Sequence, residues 1–391
     1  MKTTAAVLFE SGRPRPYAES RPLVLEDLDL AGPGPGEALV EMAAAGLCHS
    51  DLSVINGNRL RPLPLVLGHE GAGIVRDTGP GTTRVQPGDH VVFSFVAACG
   101  DCPSCTAGRH ALCDAGNAAN AAGELITGTR RFSSPRGVLN HHQGVSAYSR
   151  FTVAALRSLV PIPREVPLEI AALFGCAILT GVGAVTNTAA VQPGSTVAVF
   201  GLGGVGLSAV MGARATGATT IIAVDIQPTK LNLALAAGAT HVINPEASDP
   251  VEAIRDLTGG GVEYAFEAVG SERILEQAWS ATMRGGTAVA IGLPHPDRAA
   301  SINALQLVAG ERRLLGSYMG SCLPQRDVLR FLRMYEQGLL PVELLKSRSL
   351  RLEEINEGFD ALAAGEVARQ VIMFPAAKTT PRAEAATEMR A

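Results

Sequence analysis

Aromatic residues are scarce: 11 Phe, 5 Tyr and 1 Trp make up 4% of the 391-residue chain. Charge is scarce as well. Asp, Glu, Lys and Arg reach only 18%, where about a quarter is usual, and this excludes a coiled coil or a charge-rich disordered chain. Neither sign predominates, since 33 Lys plus Arg against 37 Asp plus Glu leave a net charge of -4, which offers no field for gathering nucleic acid or an anionic membrane. A continuous apolar span is also missing. The stretch 196–213 carries no charge, but its glycines argue against a membrane helix. The run Ala5–Phe9 before Glu10 is too short for the core of a signal peptide. A cytoplasmic protein with no nucleic-acid or membrane partner is expected.

What is present is turn-forming and apolar: 43 Gly, 24 Pro and 47% hydrophobic residues, in a chain long enough for two or three domains with full cores. Up to about residue 175 the pattern is short β-like runs cut by turns, such as Ala38–Met42, Gly73–Val75 and His90–Phe93. From about 180 to 320 buried strands (Thr196–Phe200, Thr220–Val224, His241–Ile243, Val262–Phe266, Thr287–Ile291) alternate with helical stretches (Val205–Thr216, Pro228–Ala237, Pro250–Leu257), the rhythm of a doubly wound parallel sheet. Helices around Asp327–Gln337 and Leu352–Ala364 and an apolar run Val371–Phe374 follow. The fold class is therefore α/β, a β-rich domain beside a parallel-sheet domain. Residues 378–391 have almost no large apolar side chains and are expected to be disordered.

Gly201-Leu202-Gly203-Gly204-Val205-Gly206 fits G-x-G-x-x-G. The pattern alone is weak, but here it follows a strand, opens a helix, and precedes Asp225 at the end of the next strand. Gly201 permits the tight turn, Gly203 lets backbone N–H groups approach a pyrophosphate, and Gly206 lets helix and strand pack closely. Asp225 would accept from ribose hydroxyls and repel a 2′-phosphate. With Ile226 and Gln227 following it rather than Arg, NAD is favoured over NADP.

The seven cysteines are an odd number in a chain without a secretion signal, so thiolate chemistry is favoured over disulfides. Cys99, Cys102, Cys105 and Cys113 suit a closed tetrahedral zinc site that supports folding, two disulfides being the competing reading. A dispersed second set, Cys48, His69 and Cys176, is weak residue by residue. Taken together, two Cys and one His are the ligands of a catalytic zinc that keeps its fourth position open.

In combination these residues resemble the zinc-dependent medium-chain alcohol dehydrogenases, in the long form with a structural zinc loop. The resemblance covers about residues 5–375. It rests on Cys48-His49-Ser50-Asp51, Gly68–Gly73, the four-cysteine lobe, the segment around Cys176, Val199–Gly206 and Ile355–Phe359. It implies a GroES-like catalytic domain over 1–177 with its zinc lobe at about 95–116, a Rossmann domain over 178–320, and a return to the catalytic domain over 321–377. It further implies two zinc ions per chain, NAD, a small alcohol or aldehyde as the partner molecule, and a homodimer, with a homotetramer as the alternative. Asp51 would orient His69, and Glu70 would lie behind the metal. Ser50 would contact the substrate oxygen, and His49 and Arg369 the cofactor phosphates. Lys230 would sit near the adenosine ribose, and Thr180 and Val205 would flank the nicotinamide. One departure stands out: where relatives relay the proton to a histidine, this chain has Ser53. Either Ser53 with water relays the proton, or it leaves through His49 or solvent.

By the same alignment the substrate pocket holds Ser50, Arg59, Phe95, Ala118, His142, Gln143, Leu293 and Tyr318, with Arg59 and His142 equally able to face solvent at its mouth. The expected activity is reversible oxidation of a primary alcohol by NAD. Its rivals are oxidation of a thiol–formaldehyde adduct, disfavoured because Asn117 stands at the anion-binding arginine of that branch, and a catalytically silent NAD-binding zinc protein. A zinc-free quinone reductase would lack both cysteine sets.

Overall fold

The computed structural model describes residues 1–375; the tail expected at 378–391 lies outside them. The first part of the chain is mainly antiparallel, the pair Leu65–Val66 with Gly137–His141 being parallel. Strand Glu37–Gly46 pairs along one edge with Glu70–Thr78 and along the other first with Phe151–Ala155 and then with Arg369–Met373. The sheet they form has seven strands. Beside it, Lys2–Leu8, Leu23–Leu30, Phe132–Ser134, Gly137–His141 and Leu65–Val66 close into a small barrel, whose inward Val7, Leu28, Leu30, Val66, Phe132 and Leu139 are buried together.

The middle of the chain changes period. Six parallel strands lie in the order His241–Ile243, Thr220–Val224, Thr196–Phe200, Val262–Glu267, Thr282–Ala290, Arg313–Gly316. Thr196–Phe200 and Thr220–Val224 bury every residue after the first, as strands covered by helices on both faces must. The strand order reverses beside Thr196–Phe200, and a crevice at the carboxyl ends of such strands is where this architecture takes ligands. The helices have local start and stop signals. In Pro250–Thr258, Asp249 Oδ1 accepts from the N–H groups of Val251 and Glu252 at 2.8 and 2.9 Å, Pro250 opens the first turn, and Gly259 ends it in the left-handed region.

Five expected elements occur with their expected limits, His90–Phe93, Thr196–Phe200, Thr220–Val224, Pro228–Ala237 and His241–Ile243, and the others are displaced or extended by one to five residues at an end. The strand expected at Thr287–Ile291 starts earlier, at Thr282, because Val262 pairs with Thr282 before a register shift brings Tyr264 opposite Thr287. The uncharged stretch 196–213 divides into a strand ending at Phe200 and a helix beginning at Gly204. No single helix among the described residues is long and apolar enough to cross a membrane. The last strand, Arg369–Met373, adds Val371 opposite Gly46, and Leu47 N–H donates to Gln370 O at 3.0 Å. It brings the end of the described chain into the first sheet.

Candidate active site

A cleft of about 940 Å³ runs between the antiparallel part and the carboxyl ends of the parallel strands. At its inner end lie Cys48, at the start of helix His49–Ile55, and Cys176, at the start of helix Ala177–Gly183. His69 joins them from the strand connection that precedes Glu70. Gly68 makes that connection possible: it sits at φ +95, and a Cβ there would meet Tyr148 N at 2.6 Å. One donor atom from each of Cys48, His69, Glu70 and Cys176 falls within 4.8 Å of the others, all four residues being buried. Two soft sulfurs and an imidazole in that space fit a zinc ion.

The imidazole is oriented by Asp51, which is wholly buried one turn into the same helix as Cys48. His69 Nδ1 donates to Asp51 Oδ1 at 3.1 Å, an assignment that leaves Nε2 for a metal. Two further groups hold the carboxylate. His142 Nε2 lies 3.2 Å from Oδ1, and the Tyr148 hydroxyl donates to Oδ2 at 2.9 Å. Burial works against the Asp51 charge, but the two histidines keep its carboxyl well below the usual range. Burial likewise opposes the His69 cation, which Asp51 and Cys48 nonetheless favour.

Behind the sulfurs, burial pushes the Glu70 carboxyl up to about 8, against the pull of Arg369. Arg369 Nη2 approaches Glu70 Oε1 to 2.8 Å without hydrogen-bond alignment, lies 3.5 Å from Cys48 Sγ, and its Nη1 donates to Leu47 O at 3.1 Å. The hydrogen bond from Cys176 draws the Cys48 thiol well down, and Arg369 and His69 add to this from beside it. The other flank of Arg369 rests on the glycine loop, where a Cβ on Gly204 would meet its Nε at 2.7 Å. Arg369 thus touches both the ligand cluster and the loop expected to take phosphates.

That loop lines the cleft with Gly201, Gly203, Gly204 and Val205. Gly201 is at φ +87, a Cβ on Gly206 would run into Gly201 O, and a Cβ on Gly203 would meet nothing of the protein. The three positions match a tight turn, a close helix–strand contact and an open face toward a ligand. Asp225 lines the same cleft, with Oδ2 accepting from Leu202 N at 2.7 Å and Oδ1 from Gln227 N at 2.9 Å. His49, Ser50, Ser53, Thr180 and Lys230 line it too. Ser53 Oγ donates to His49 O at 2.9 Å, which turns its proton toward its own helix.

The four-cysteine lobe lies outside this cleft. Its sulfurs are all within 4.8 Å of one another, and Cys99 Sγ is 3.9 Å from Cys105 Sγ. That is close to the edge of a tetrahedron with zinc–sulfur bonds of about 2.3 Å. Backbone N–H groups of Asp101 and Cys102 point at Cys99 Sγ at 3.4 and 3.3 Å and draw that thiol down to about 6. Cys113 Sγ accepts from Cys99 N and Gly116 N. None of the seven cysteines forms a disulfide.

The pocket expectation needs correction. Arg59, Phe95, Leu293 and Tyr318 line the cleft, whereas Ala118, His142 and Gln143 do not. Ala118 is exposed on helix Asp114–Ala122. His142 is only 1% exposed because Asp51 holds it inside, and Gln143 Nε2 sits against the same ring at 3.4 Å. Sequence reasoning missed Tyr148 and the His142–Asp51 contact. Both pair residues about a hundred positions apart, and only their burial as polar side chains hints at a partner.

Comparison with known proteins falls along the same lines. The sequence pattern of the alcohol dehydrogenase GroES-like domain matches residues 34–164, and that of zinc-binding dehydrogenases matches 204–337. The chain is 40% identical over 378 residues to an S-(hydroxymethyl)glutathione dehydrogenase of Synechocystis sp., covering 96% of this chain and 100% of that protein. Among solved structures it is similar to benzyl alcohol dehydrogenase from Acinetobacter calcoaceticus (TM-score 0.89, 34% identity, 96% and 100% of the two chains). A Sinorhizobium meliloti structure bound to NADP also matches (TM-score 0.80, 26% identity, 96% and 100%).

Proposed function

The chain belongs to the zinc-dependent medium-chain alcohol dehydrogenases, and from that premise we propose that it catalyses reversible, NAD-linked oxidation of a primary aliphatic or aryl alcohol to the aldehyde. The observation that carries this reading is the cleft lined by Cys48 and Cys176, with His69 grouped within 4.8 Å of them, on one side and by Gly201, Gly203, Gly204, Val205 and Asp225 on the other. In the reaction the alcohol loses a proton from oxygen and a hydride from carbon. Zinc at the three ligands would act as a Lewis acid on the substrate oxygen, and bound nicotinamide would accept the hydride. The chain's own groups do the rest. Asp51 fixes the His69 ring, Ser50 would hydrogen-bond the substrate oxygen and pass its proton onward rather than keep it, and Thr180 and Val205, which line the cleft, would flank the nicotinamide. The test is an initial-rate panel of benzyl, straight-chain and thiol-adduct alcohols with NAD and NADP; no turnover of any alcohol would refute the reading.

Asp225 supports NAD. Asp225→Gly removes the carboxylate that would pair with ribose hydroxyls, so the ratio of kcat/KM for NAD over NADP is expected to fall roughly tenfold, the size of one charged hydrogen bond. Steady-state rates with both cofactors check this, and an unchanged ratio would mean that Asp225 does not meet the ribose.

A second reading, oxidation of a thiol–formaldehyde adduct, is favoured by the 40% identity to the Synechocystis protein of that name. Against it stands Asn117, whose amide donates to Cys113 O at 2.9 Å within the zinc lobe rather than reaching the cleft.

The proton path sets a further expectation. With Ser53 Oγ engaged by His49 O, no base stands at the relay position. Ser53→His should then raise kcat roughly tenfold near neutral pH and little above pH 8, since imidazole accepts protons best around its pKa of about 6.5. Added imidazole should help the parent and not the variant. Profiles of kcat against pH that superimpose, insensitive to imidazole, would place position 53 off the proton path.

A further inference from the structure

The buried segment from His142 to Tyr148 is bent against the preference of its residues. Gln143 and Ser146 sit at φ 52 and 53, in the left-handed region that side chains with a Cβ rarely adopt, and such positions persist only where their surroundings fix them. The bend is fixed from within. Val145 N–H and Ser146 N–H donate to His142 O at 3.0 and 3.2 Å, and His142 N–H donates to Ser146 Oγ at 3.0 Å. Strain of this kind gathers where a structure must hold a group in one place, and both ends of the bend reach Asp51.

One end supplies a ring nitrogen and the other a hydroxyl. His142 Nε2 lies 3.2 Å from Asp51 Oδ1, while its Nδ1 is buried without a partner, so the proton of the ring belongs on Nε2, facing an oxygen that can only accept. The Tyr148 hydroxyl donates to Oδ2 at 2.9 Å, and His69 Nδ1 lies 3.1 Å from each oxygen. Three donors from three parts of the chain therefore hold one buried carboxylate. The same segment also grips the backbone beside His69: Ala147 N–H donates to Gly68 O and Tyr148 N–H to Leu67 O, both at 3.0 Å. Tyr148 is itself anchored, its ring lying edge-on to Phe359 with centroids 6.1 Å apart.

We propose that the turn His142–Tyr148 is a clamp on His69, gripping its backbone on one side and, through Asp51, its ring on the other, and that it sets the direction in which Nε2 meets the metal. His142 and Tyr148 are positioning residues, since neither belongs to the group Cys48, His69, Glu70 and Cys176 whose donor atoms converge at the ligand site. The inference rests on the reading that Cys48, His69 and Cys176 hold zinc and concerns how firmly they hold it. A hydrogen-bonding partner behind a metal-bound imidazole is worth about 10–100-fold in metal affinity. His142 and Tyr148 act one contact further out, which places each at the lower end of that range.

The experiment follows zinc leaving the zinc-loaded full chain in dipicolinate, by elemental analysis at intervals, for the parent, His142→Phe, Tyr148→Phe and His142→Gln. In each Phe variant one zinc equivalent is expected to leave roughly tenfold faster than in the parent while the other keeps the parent rate, and His142→Gln, which retains a donor, should stay close to the parent. In Cys176→Ser, where the cleft equivalent is expected to be missing, adding Tyr148→Phe should not change the loss of the remaining zinc. Parent-like loss of both equivalents in the Phe variants overturns the clamp, and so does faster loss of both together, which would mark a general loosening. If His142→Phe does not fold, Tyr148→Phe decides alone, since it removes a single oxygen. The donor atoms of Asp51, His69 and His142 also lie within 4.8 Å of one another; a third zinc equivalent in the parent that His142→Phe lacks would make them an ion site and overturn the hydrogen-bonded clamp. A Cys176→Ser chain with the parent's full zinc content and rates removes the ligand reading, and the clamp with it.

Discussion

Cys176→Ser is expected to reduce alcohol oxidation by roughly a thousandfold or more while leaving the fold intact. A ligand that orients or polarises the reacting oxygen supplies several kcal/mol of transition-state stabilisation, and each 1.4 kcal/mol is about tenfold in rate. Serine keeps the volume of cysteine but replaces a soft anionic donor with a neutral hydroxyl. The position tolerates this structurally: Cys176 begins helix Ala177–Gly183 with no side-chain cap bond, and serine is among the better residues at a helix start. Elemental analysis should show about one zinc equivalent lost per chain, with the melting temperature within a few degrees of the parent. Parent-like turnover with undiminished zinc would remove Cys176 from the ligand set.

Cys102→Ser should produce the opposite pattern, a melting temperature lower by roughly 10 °C with kcat per folded chain largely kept. A closed four-sulfur site contributes its binding free energy to folding, and losing several kcal/mol moves the melting point of a chain this size by that order. The lobe still communicates with the cleft. Asn120, on helix Asp114–Ala122 just after Cys113, donates its amide to Phe95 O at 2.8 Å, and Phe95 is part of the cleft wall. KM should therefore rise before kcat falls. Calorimetry beside initial rates checks this, and a parent-like melting point would show that the four sulfurs do not hold a structural metal.

These contrasts reflect what a sequence exposes. The lobe was legible because Cys99, Cys102, Cys105 and Cys113 are close neighbours along the chain, and the glycine loop because strand, turn and helix are consecutive. Cys48, His69 and Cys176 became readable only as a set. The cleft wall was less legible because long-range packing decides which side chains reach it. His142 is drawn inward by Asp51, and Ala118 faces out. Tyr148 was invisible for the same reason, since its partners Gly46 and Asp51 lie far back along the chain.

The strand Arg369–Met373 sets a condition on how the protein is made. A ribosome delivers Cys48, His69, Cys176 and the glycine loop long before Arg369, and at about 5–20 residues per second the interval after Cys176 is roughly 10 to 40 s. For that time the stretch Ala44–Gly46 has an open edge and Glu70 lacks the cation that faces it in the finished protein. The half of the molecule synthesised first is thus the half completed last. A chain that stops shortly before Arg369 loses the edge strand, the counter-charge beside Glu70 and Cys48 and the residue packed on the glycine loop in a single event.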